Sequence, residues 1–136
     1  MTPSIKLEHA DARGEIYSIA LPDNRELMLL HSKAGAFRGG HSHDCNEVVV
    51  LLTGKMRYHK LDEAGDSRYD IMTPECVPWE QGYKVKGLSL NLAGEVHMGE
   101  FLEDSWVFEY KFAEKGQWTQ KDYEPMRERV RASIQN

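Results

Sequence analysis

Two histidines and a glutamate lie close together in the chain, at His41, His43 and Glu47. Side chains on an extended segment alternate between its two faces, so the imidazoles of residues 41 and 43 point the same way. A short turn after His43 would return the carboxylate of Glu47 to the same space. Neutral imidazole offers a nitrogen lone pair and a carboxylate offers oxygen, a combination suited to first-row divalent ions. The segment therefore predicts a metal site.

One such segment fills at most three positions around an ion, so another part of the chain must supply the next ligand. His97 is the best candidate. We expect one divalent ion, which could be zinc, iron, manganese or nickel, with one or two positions open to water or substrate. The expected ligands are His41, His43, Glu47 and His97. The remaining histidines have no comparable context and are interpreted as ordinary surface or strand residues: His9, His31 and His59.

The same segment matches a known signature. Its residues follow the pattern GxxxxxHxHxxxExxxxxxG from Gly35 to Gly54, which resembles the first signature of the cupin family. The stretch from Gly87 through Leu92 and Gly94 to His97 is similar to the second signature, although Leu92 replaces the usual proline. Phe101 stands where the family often has asparagine. The resemblance implies a small jelly-roll barrel, covering about residues 35–112, that holds a metal at its mouth or in its interior.

Two short arginine motifs resemble a subgroup of that family. Asp11, Arg13 and Gly14 form DxRG, and Arg38 precedes His41 in RGxH. This arrangement is similar to the nucleotide-sugar cupins, including dehydrorhamnose epimerases, keto-sugar ketoisomerases and the cupin domain of capsular-polysaccharide enzymes. The resemblance implies that the arginines contact phosphates and that a histidine of the HxH pair moves a proton. Exposed loop arginines are the alternative interpretation.

Three functions are compatible with these residues. The first is isomerisation or epimerisation of a carbonyl sugar, in which an ion polarises the carbonyl while a base removes a neighbouring proton. Glu47 could be that base, but we assign it as a ligand. The second is a metal-dependent dioxygenase, because three histidines and one carboxylate with open positions also suit oxygen chemistry. The third is a non-enzymatic cupin that binds a metal or a small molecule.

Composition limits the other possibilities. The 136 residues suit one domain, residues 1–136, and the net charge of −5 lacks the basic surface that nucleic acids and anionic membranes attract. No apolar run approaches the ~20 residues that span a bilayer, and the first residues lack the apolar core of a signal peptide. We expect a cytoplasmic protein that binds a small-molecule substrate. Cys45 is interpreted as a half-buried turn residue rather than a reactive thiol.

Short strand-like segments separated by turn residues predict an all-β fold, a single antiparallel barrel of jelly-roll type with a core of about residues 26–112. Aromatic residues alternate with other types near its end, and we expect this stripe to pack between two sheets: Trp106, Phe108, Tyr110 and Phe112. A sugar-binding platform is the alternative.

The tail of the chain changes to helical spacing. Asp122 is a plausible N-cap for a helix over about residues 122–134, and Pro125 is tolerated in its first turn. Four residues would share its apolar face: Tyr123, Met126, Val130 and Ile134. We expect this helix to lie across the barrel or against a partner subunit. Sheet edges and the helix would both be covered in a homodimer.

Overall fold

The computed structural model describes residues 4–62 and 65–135. These residues form thirteen strands and one helix. The strands are β1 Ile5–Asp11, β2 Gly14–Leu21, β3 Arg25–Ser32, β4 Phe37–His43, β5 Glu47–Thr53, β6 Met56–Leu61, β7 Ser67–Met72, β8 Cys76–Trp79, β9 Gly82–Val85, β10 Leu88–Asn91, β11 His97–Phe101, β12 Ser105–Lys111 and β13 Gln120–Asp122. The helix is α1 Glu124–Gln135. No helix in the described ranges is long and apolar enough to cross a membrane.

The strands form two main antiparallel sheets. The six-stranded sheet has the order β1-β2-β3-β12-β5-β10, and the five-stranded sheet has the order β13-β4-β11-β6-β7. Strands β8 and β9 pair separately as a hairpin. The main hydrophobic core takes side chains from both large sheets, including Val49 and Val107 from one and Met56 and Phe101 from the other. The sheets therefore face each other across the core, and the predicted all-β barrel is confirmed.

The C-terminal helix packs against its own barrel. Met126 and Val130 are buried with Met98 of β11. Met98 alternates along that strand with His97 and Gly99, so this cluster lies on the face of the five-stranded sheet that points away from the core. The amphipathic helix thus covers this face. The side chain of Ile134, which was expected to join it, lies outside the described residues.

The helix begins two residues later than expected. Asp122 was interpreted as its N-cap, but the backbone of Asp122 pairs with His41 in the β13–β4 ladder. Its carboxylate accepts hydrogen bonds from the Gln120 amide and the Arg127 guanidinium, and among the described residues it caps no amide at the helix start. The Tyr123 amide then donates to the Gly40 carbonyl at 2.8 Å, and the helix starts at Glu124.

The predicted packing of the aromatic stripe is wrong. Trp106 and Phe112 keep 37% and 52% of their surface exposed, whereas Val107 between them keeps 2%. The inward positions of β12 are therefore those of Val107, Glu109 and Lys111, and the aromatic residues point outward. A period-two pattern separates the two faces of a strand but does not state which face is internal. The interior of the barrel beside β12 is partly polar, so the aromatic residues of this strand point outward.

Candidate metal centre

Three histidines converge inside the barrel. His41 and His43 lie one residue apart near the end of β4, and His97 begins β11, where its backbone pairs with that of His41. One ligand atom from each ring lies within 4.8 Å of the others. The ring centroid of His41 is 4.7 Å from that of His43 and 5.0 Å from that of His97. Strand pairing thus joins histidines that are more than fifty residues apart in sequence.

Glu47 lies beside this cluster at the start of β5. Its Oε1 is 3.3 Å from His97 Nε2, and its Oε2 is 3.8 Å from His43 Nδ1. The Asn91 amide donates to Oε1 at 3.0 Å, and the Lys111 ammonium lies 3.1 Å from Oε2. The carboxylate is 1% exposed. The structure therefore brings together all four residues that were expected to bind the ion, with Glu47 also held by two other side chains.

The protonation of the three imidazoles suits a metal ion. Burial has the largest effect on these histidines. It lowers the pKa of His41 to about 3 and the pKa of His43 to about 4, and it also lowers the pKa of His97. The repulsion that the rings would exert on one another as cations adds to the effect at His41. All three rings are therefore neutral at pH 7 and keep a lone pair for coordination.

The hydrogen bonds of the histidines give a second test of whether these residues fit a metal ion. Nδ1 of His97 lies 3.1 Å from the Glu95 carbonyl, so this nitrogen carries the proton and Nε2 offers its lone pair. That lone pair faces the Glu47 carboxylate. Nδ1 of His43 is buried and has no hydrogen-bond partner among the described residues. A cation between these atoms would satisfy both nitrogens and the carboxylate, so the residues present fit a divalent ion.

The cluster opens onto a cavity of about 580 Å³ inside the barrel. Its lining includes the three histidines together with Arg13, Arg38 and Glu109. The arginines proposed from the two short motifs therefore share one cavity with the metal cluster. Lys111 and Trp118 also line it, and the Lys111 ammonium lies 4.4 Å from the Trp118 ring centre.

The two arginines differ in their partners. Arg13 forms an ion pair with Asp11 at 2.7 Å and donates to the Phe37 carbonyl. Arg38 donates to the Ser32 hydroxyl at 2.7 Å and to a backbone carbonyl, but within the described ranges no carboxylate lies within ion-pair distance of it. Burial lowers the pKa of Arg38, and the nearby charge of Arg13 adds to this. An anion entering the cavity would supply the missing counter-charge.

Two charged residues of the site were not identified from the sequence. Glu109 and Lys111 occupy inward positions of β12, and their charged groups are 4.0 Å apart. Burial raises the pKa of Glu109 to about 7, and the charge of Glu47 contributes. Charged residues at every second position of a central strand were the available signal.

Cys45 is half-buried in the turn between β4 and β5, and both cysteines are unpaired. Burial raises the pKa of the Cys45 thiol. It therefore stays protonated at pH 7 and is a poor nucleophile.

The remaining histidines lie outside the cluster. His9 is exposed beside Asp11, and His31 contacts Glu15 at 2.8 Å. His59 is buried 3.3 Å from Glu100.

Comparison with known proteins supports the fold. No family model matches the sequence, and no curated protein matches it. Among solved structures, the capsular polysaccharide assembling protein CapF from Staphylococcus aureus is 18% identical, with a TM-score of 0.66 over 90% of this chain and 33% of CapF. Oxalate decarboxylase from Bacillus subtilis is 19% identical, with a TM-score of 0.59 over 87% of this chain and 30% of the decarboxylase.

This chain spans about a third of the length of each of these proteins. Both contain cupin barrels, and their similarity extends over most of the chain described above. The two-sheet barrel, the cluster of three histidines within it and these structural neighbours lead to one conclusion about architecture. The chain has the cupin fold.

Proposed function

We propose that this protein is a metal-dependent isomerase or epimerase that acts on a carbonyl sugar carrying an anionic group, as a nucleotide sugar does. One observation carries the proposal. The same cavity is lined by the neutral histidine cluster, which fits an ion, by Arg38, which has no carboxylate within ion-pair distance among the described residues, and by Glu109, whose pKa is about 7. A carbonyl, a phosphate and a mobile proton each find a matching group there.

Each group has a distinct role in this proposal. His41, His43 and His97, with Glu47, would hold the ion, which polarises a carbonyl and stabilises negative charge on its oxygen. The ionised Glu109 carboxylate accepts a proton from the carbon next to that carbonyl. In an isomerisation Glu109 returns the proton to the former carbonyl carbon, while the hydroxyl proton of the first carbon moves to the former carbonyl oxygen. In an epimerisation a proton from solvent reaches the opposite face of the first carbon, and Glu109 gives its proton to solvent. A carboxyl group whose pKa lies near neutrality can both accept and return a proton.

The structural neighbours support this direction without identifying a substrate. CapF is described as a capsular polysaccharide assembling protein, and one of its structures contains the inhibitor 3-isopropenyl-tropolone. A tropolone carries two adjacent oxygens that can chelate a divalent ion. The same compound is therefore a useful probe for open coordination positions in this protein.

The first experiment measures metal content. Protein purified without added metal is analysed for its elements, then stripped with a chelator and titrated with zinc, manganese, iron or nickel. We expect one ion per chain in the native sequence and none in His41→Ala or His43→Ala, with the strand content unchanged. His9→Ala is the control, because His9 lies outside the cluster. Full metal uptake by the double variant would show that the ligands are assigned wrongly.

The second experiment measures proton transfer. Metal-loaded protein is mixed with nucleotide-linked keto-sugars in deuterated water, and deuterium at the carbons next to the carbonyl is followed by NMR. We expect exchange that is lost in Glu109→Gln, while metal content stays the same. Metal-loaded protein that exchanges no proton of these sugars would overturn the proposed reaction.

A dioxygenase is the second candidate. Three neutral imidazoles beside one carboxylate also suit iron, manganese or nickel with open positions for substrate and oxygen. Oxygen consumption separates the two candidates. A zinc-loaded protein that is active without oxygen supports the isomerase, whereas oxygen uptake with a small enol substrate supports the dioxygenase.

A further inference from the structure

Glu47 is flanked on both neighbouring strands by a side chain that contacts one of its oxygens. In the six-stranded sheet β5 lies between β12 and β10, and Glu47 pairs with Lys111 on one side and with Asn91 on the other. Residues directly opposite each other share a face of the sheet, so both side chains point into the barrel. The Lys111 ammonium lies 3.1 Å from Oε2, and Asn91 Nδ2 donates to Oε1 at 3.0 Å. The carboxylate is therefore held at both oxygens.

Asn91 is itself fixed by its hydrogen bonds. Its side chain is buried, and Nδ2 also donates to the Tyr58 hydroxyl at 2.7 Å, while the Ser89 hydroxyl donates to Oδ1 at 3.3 Å. An ionised carboxylate only accepts hydrogen bonds, so the nitrogen of the amide must face Glu47. Both N–H groups and the carbonyl of the amide are thus used, and a rotation of Asn91 would break at least one of these bonds.

We propose that Asn91 is a positioning residue of the metal centre, which keeps the Glu47 carboxylate turned toward the histidines. The oxygen that Asn91 holds, Oε1, is the one that lies 3.3 Å from Nε2 of His97. The hydrogen bond therefore keeps this oxygen beside the nitrogen with which it would share the ion. Partners that hydrogen-bond to a ligand in this way set its orientation at metal sites.

The two partners of Glu47 act in opposite directions on ion binding. Lys111 is a cation, so it competes with a bound ion for the same carboxylate. The amide of Asn91 is neutral and orients the carboxylate without adding a positive charge. Loss of Asn91 should therefore weaken ion binding, whereas loss of Lys111 should strengthen it.

The hydrogen bonds of Asn91 also connect the two sheets. Asn91 ends β10 in the six-stranded sheet, and Tyr58 lies in β6 of the five-stranded sheet. The Tyr58 ring is nearly parallel to that of His97, with an angle of 16° and 6.2 Å between the centroids. Asn91 therefore joins the sheet that carries Glu47 to the sheet that carries the three histidines. This inference rests on the ligand set of the proposed function and not on its reaction.

The test is the zinc affinity of the metal-stripped full chain, measured by competition with a chromophoric chelator. We expect Asn91→Ala to bind zinc roughly 10–100-fold more weakly than the native protein, the loss typical of removing such a partner. Tyr58→Phe keeps the ring beside His97 but removes the acceptor hydroxyl, and it should weaken zinc binding by less. Lys111→Met should strengthen it. A packing defect alone would not give opposite changes at the two neighbours of one carboxylate.

Asn46→Ala is the matched control. It removes the same amide group from the turn before β5, where the Asn46 side-chain oxygen accepts from the Ala93 backbone at 2.9 Å. This variant should keep the native zinc affinity.

A second measurement uses only the native sequence and decides the question if Asn91→Ala fails to fold. The side-chain N–H signals of Asn91 are followed by NMR in isotope-labelled protein while zinc is added. We expect them to shift as the ion binds, whereas those of Asn24, in the exposed turn between β2 and β3, stay unchanged.

The outcomes separate this proposal from the proposed function. Native zinc affinity in Asn91→Ala, or Asn91 signals that stay in place while zinc binds, would overturn the positioning role and leave the proposed function intact. A native protein that binds no ion would instead overturn the ligand set of the proposed function, and the positioning role with it.

Discussion

Lys111 and Glu47 form an ion pair inside the barrel, with 3.1 Å between the ammonium and the carboxylate. Their side chains are only 12% and 1% exposed. Glu47 also lies 3.3 Å from His97, so the lysine and a bound ion would share one carboxylate. Nearby charges and the hydrogen bond to Glu47 raise the pKa of Lys111 despite burial. The ammonium is therefore the cation that balances Glu47 when no ion is bound.

We expect Lys111→Met to destabilise the metal-free protein and to increase the stabilisation that an ion provides. Removing one partner of a buried ion pair leaves an uncompensated charge, which typically costs about 3–5 kcal/mol. A bound ion then supplies the lost positive charge. Thermal unfolding with and without zinc measures both effects.

Lys86→Met is the control for this variant. Lys86 forms an exposed pair with Glu75 near the β8–β9 hairpin, and its loss should change neither quantity appreciably. An equal gain in Tm on zinc addition in Lys111→Met and the native protein would contradict the proposed sharing of Glu47.

The pKa of Glu109 makes stability depend on pH. This carboxyl group has a pKa of about 7 in the folded protein and an ordinary value of 4.5. As pH rises through this interval, the unfolded chain releases the proton while the folded chain retains it. The free energy of unfolding therefore falls between about pH 4.5 and 7. We expect Glu109→Gln to lose less stability than the native protein between pH 5 and 8.

Urea unfolding of the metal-free protein at the two pH values measures this difference. Glu75→Gln, which alters an exposed carboxylate, should follow the native protein. Parallel pH dependence in Glu109→Gln and the native protein would show that Glu109 is ionised throughout this range.

We expect Arg38 to bind anions that enter the cavity. We expect Arg38→Gln to weaken binding of a nucleoside diphosphate by roughly ten-fold or more, since a charge-assisted hydrogen bond to phosphate is worth about 1.5–3 kcal/mol. Calorimetric titration of the metal-loaded protein measures the affinity. Arg68→Gln is the matched control, because Arg68 is 82% exposed and pairs with Asp62. Equal losses in both variants would indicate a general effect of charge.

Gly54 closes the first signature, and its substitution tests why glycine is needed there. Its φ is +95°, and a Cβ would overlap the Ser105 hydroxyl and the Asp104 carbonyl. Gly65 has a similar φ of +82° but open space around it. Both alanine variants have left-handed strain of about 1–2 kcal/mol, and only Gly54→Ala adds a steric clash. We expect a clearly lower Tm for Gly54→Ala than for Gly65→Ala, and similar values would contradict this account.

Much of this architecture could be read from local patterns. The spacing of His41, His43 and Glu47, with glycines at both ends, indicated a metal-binding barrel of the cupin type, and the helical spacing of Met126 and Val130 indicated the terminal helix. These features depend on residues that are near one another in the chain. The structure confirmed the barrel and the helix, and it brought His97 to the other histidines through strand pairing.

What lies on each side of a strand depended on tertiary structure. Alternation in β12 separated aromatic from charged residues, but it did not determine which set faces the cavity. Packing of the two sheets placed Glu109 and Lys111 beside the histidines and left Phe108 outside. The residue types and spacing of the chain therefore established the barrel and the expected ligands. Only the assembled sheets decided which charges enter the cavity, because burial and long-range pairing determine the inner face of each strand.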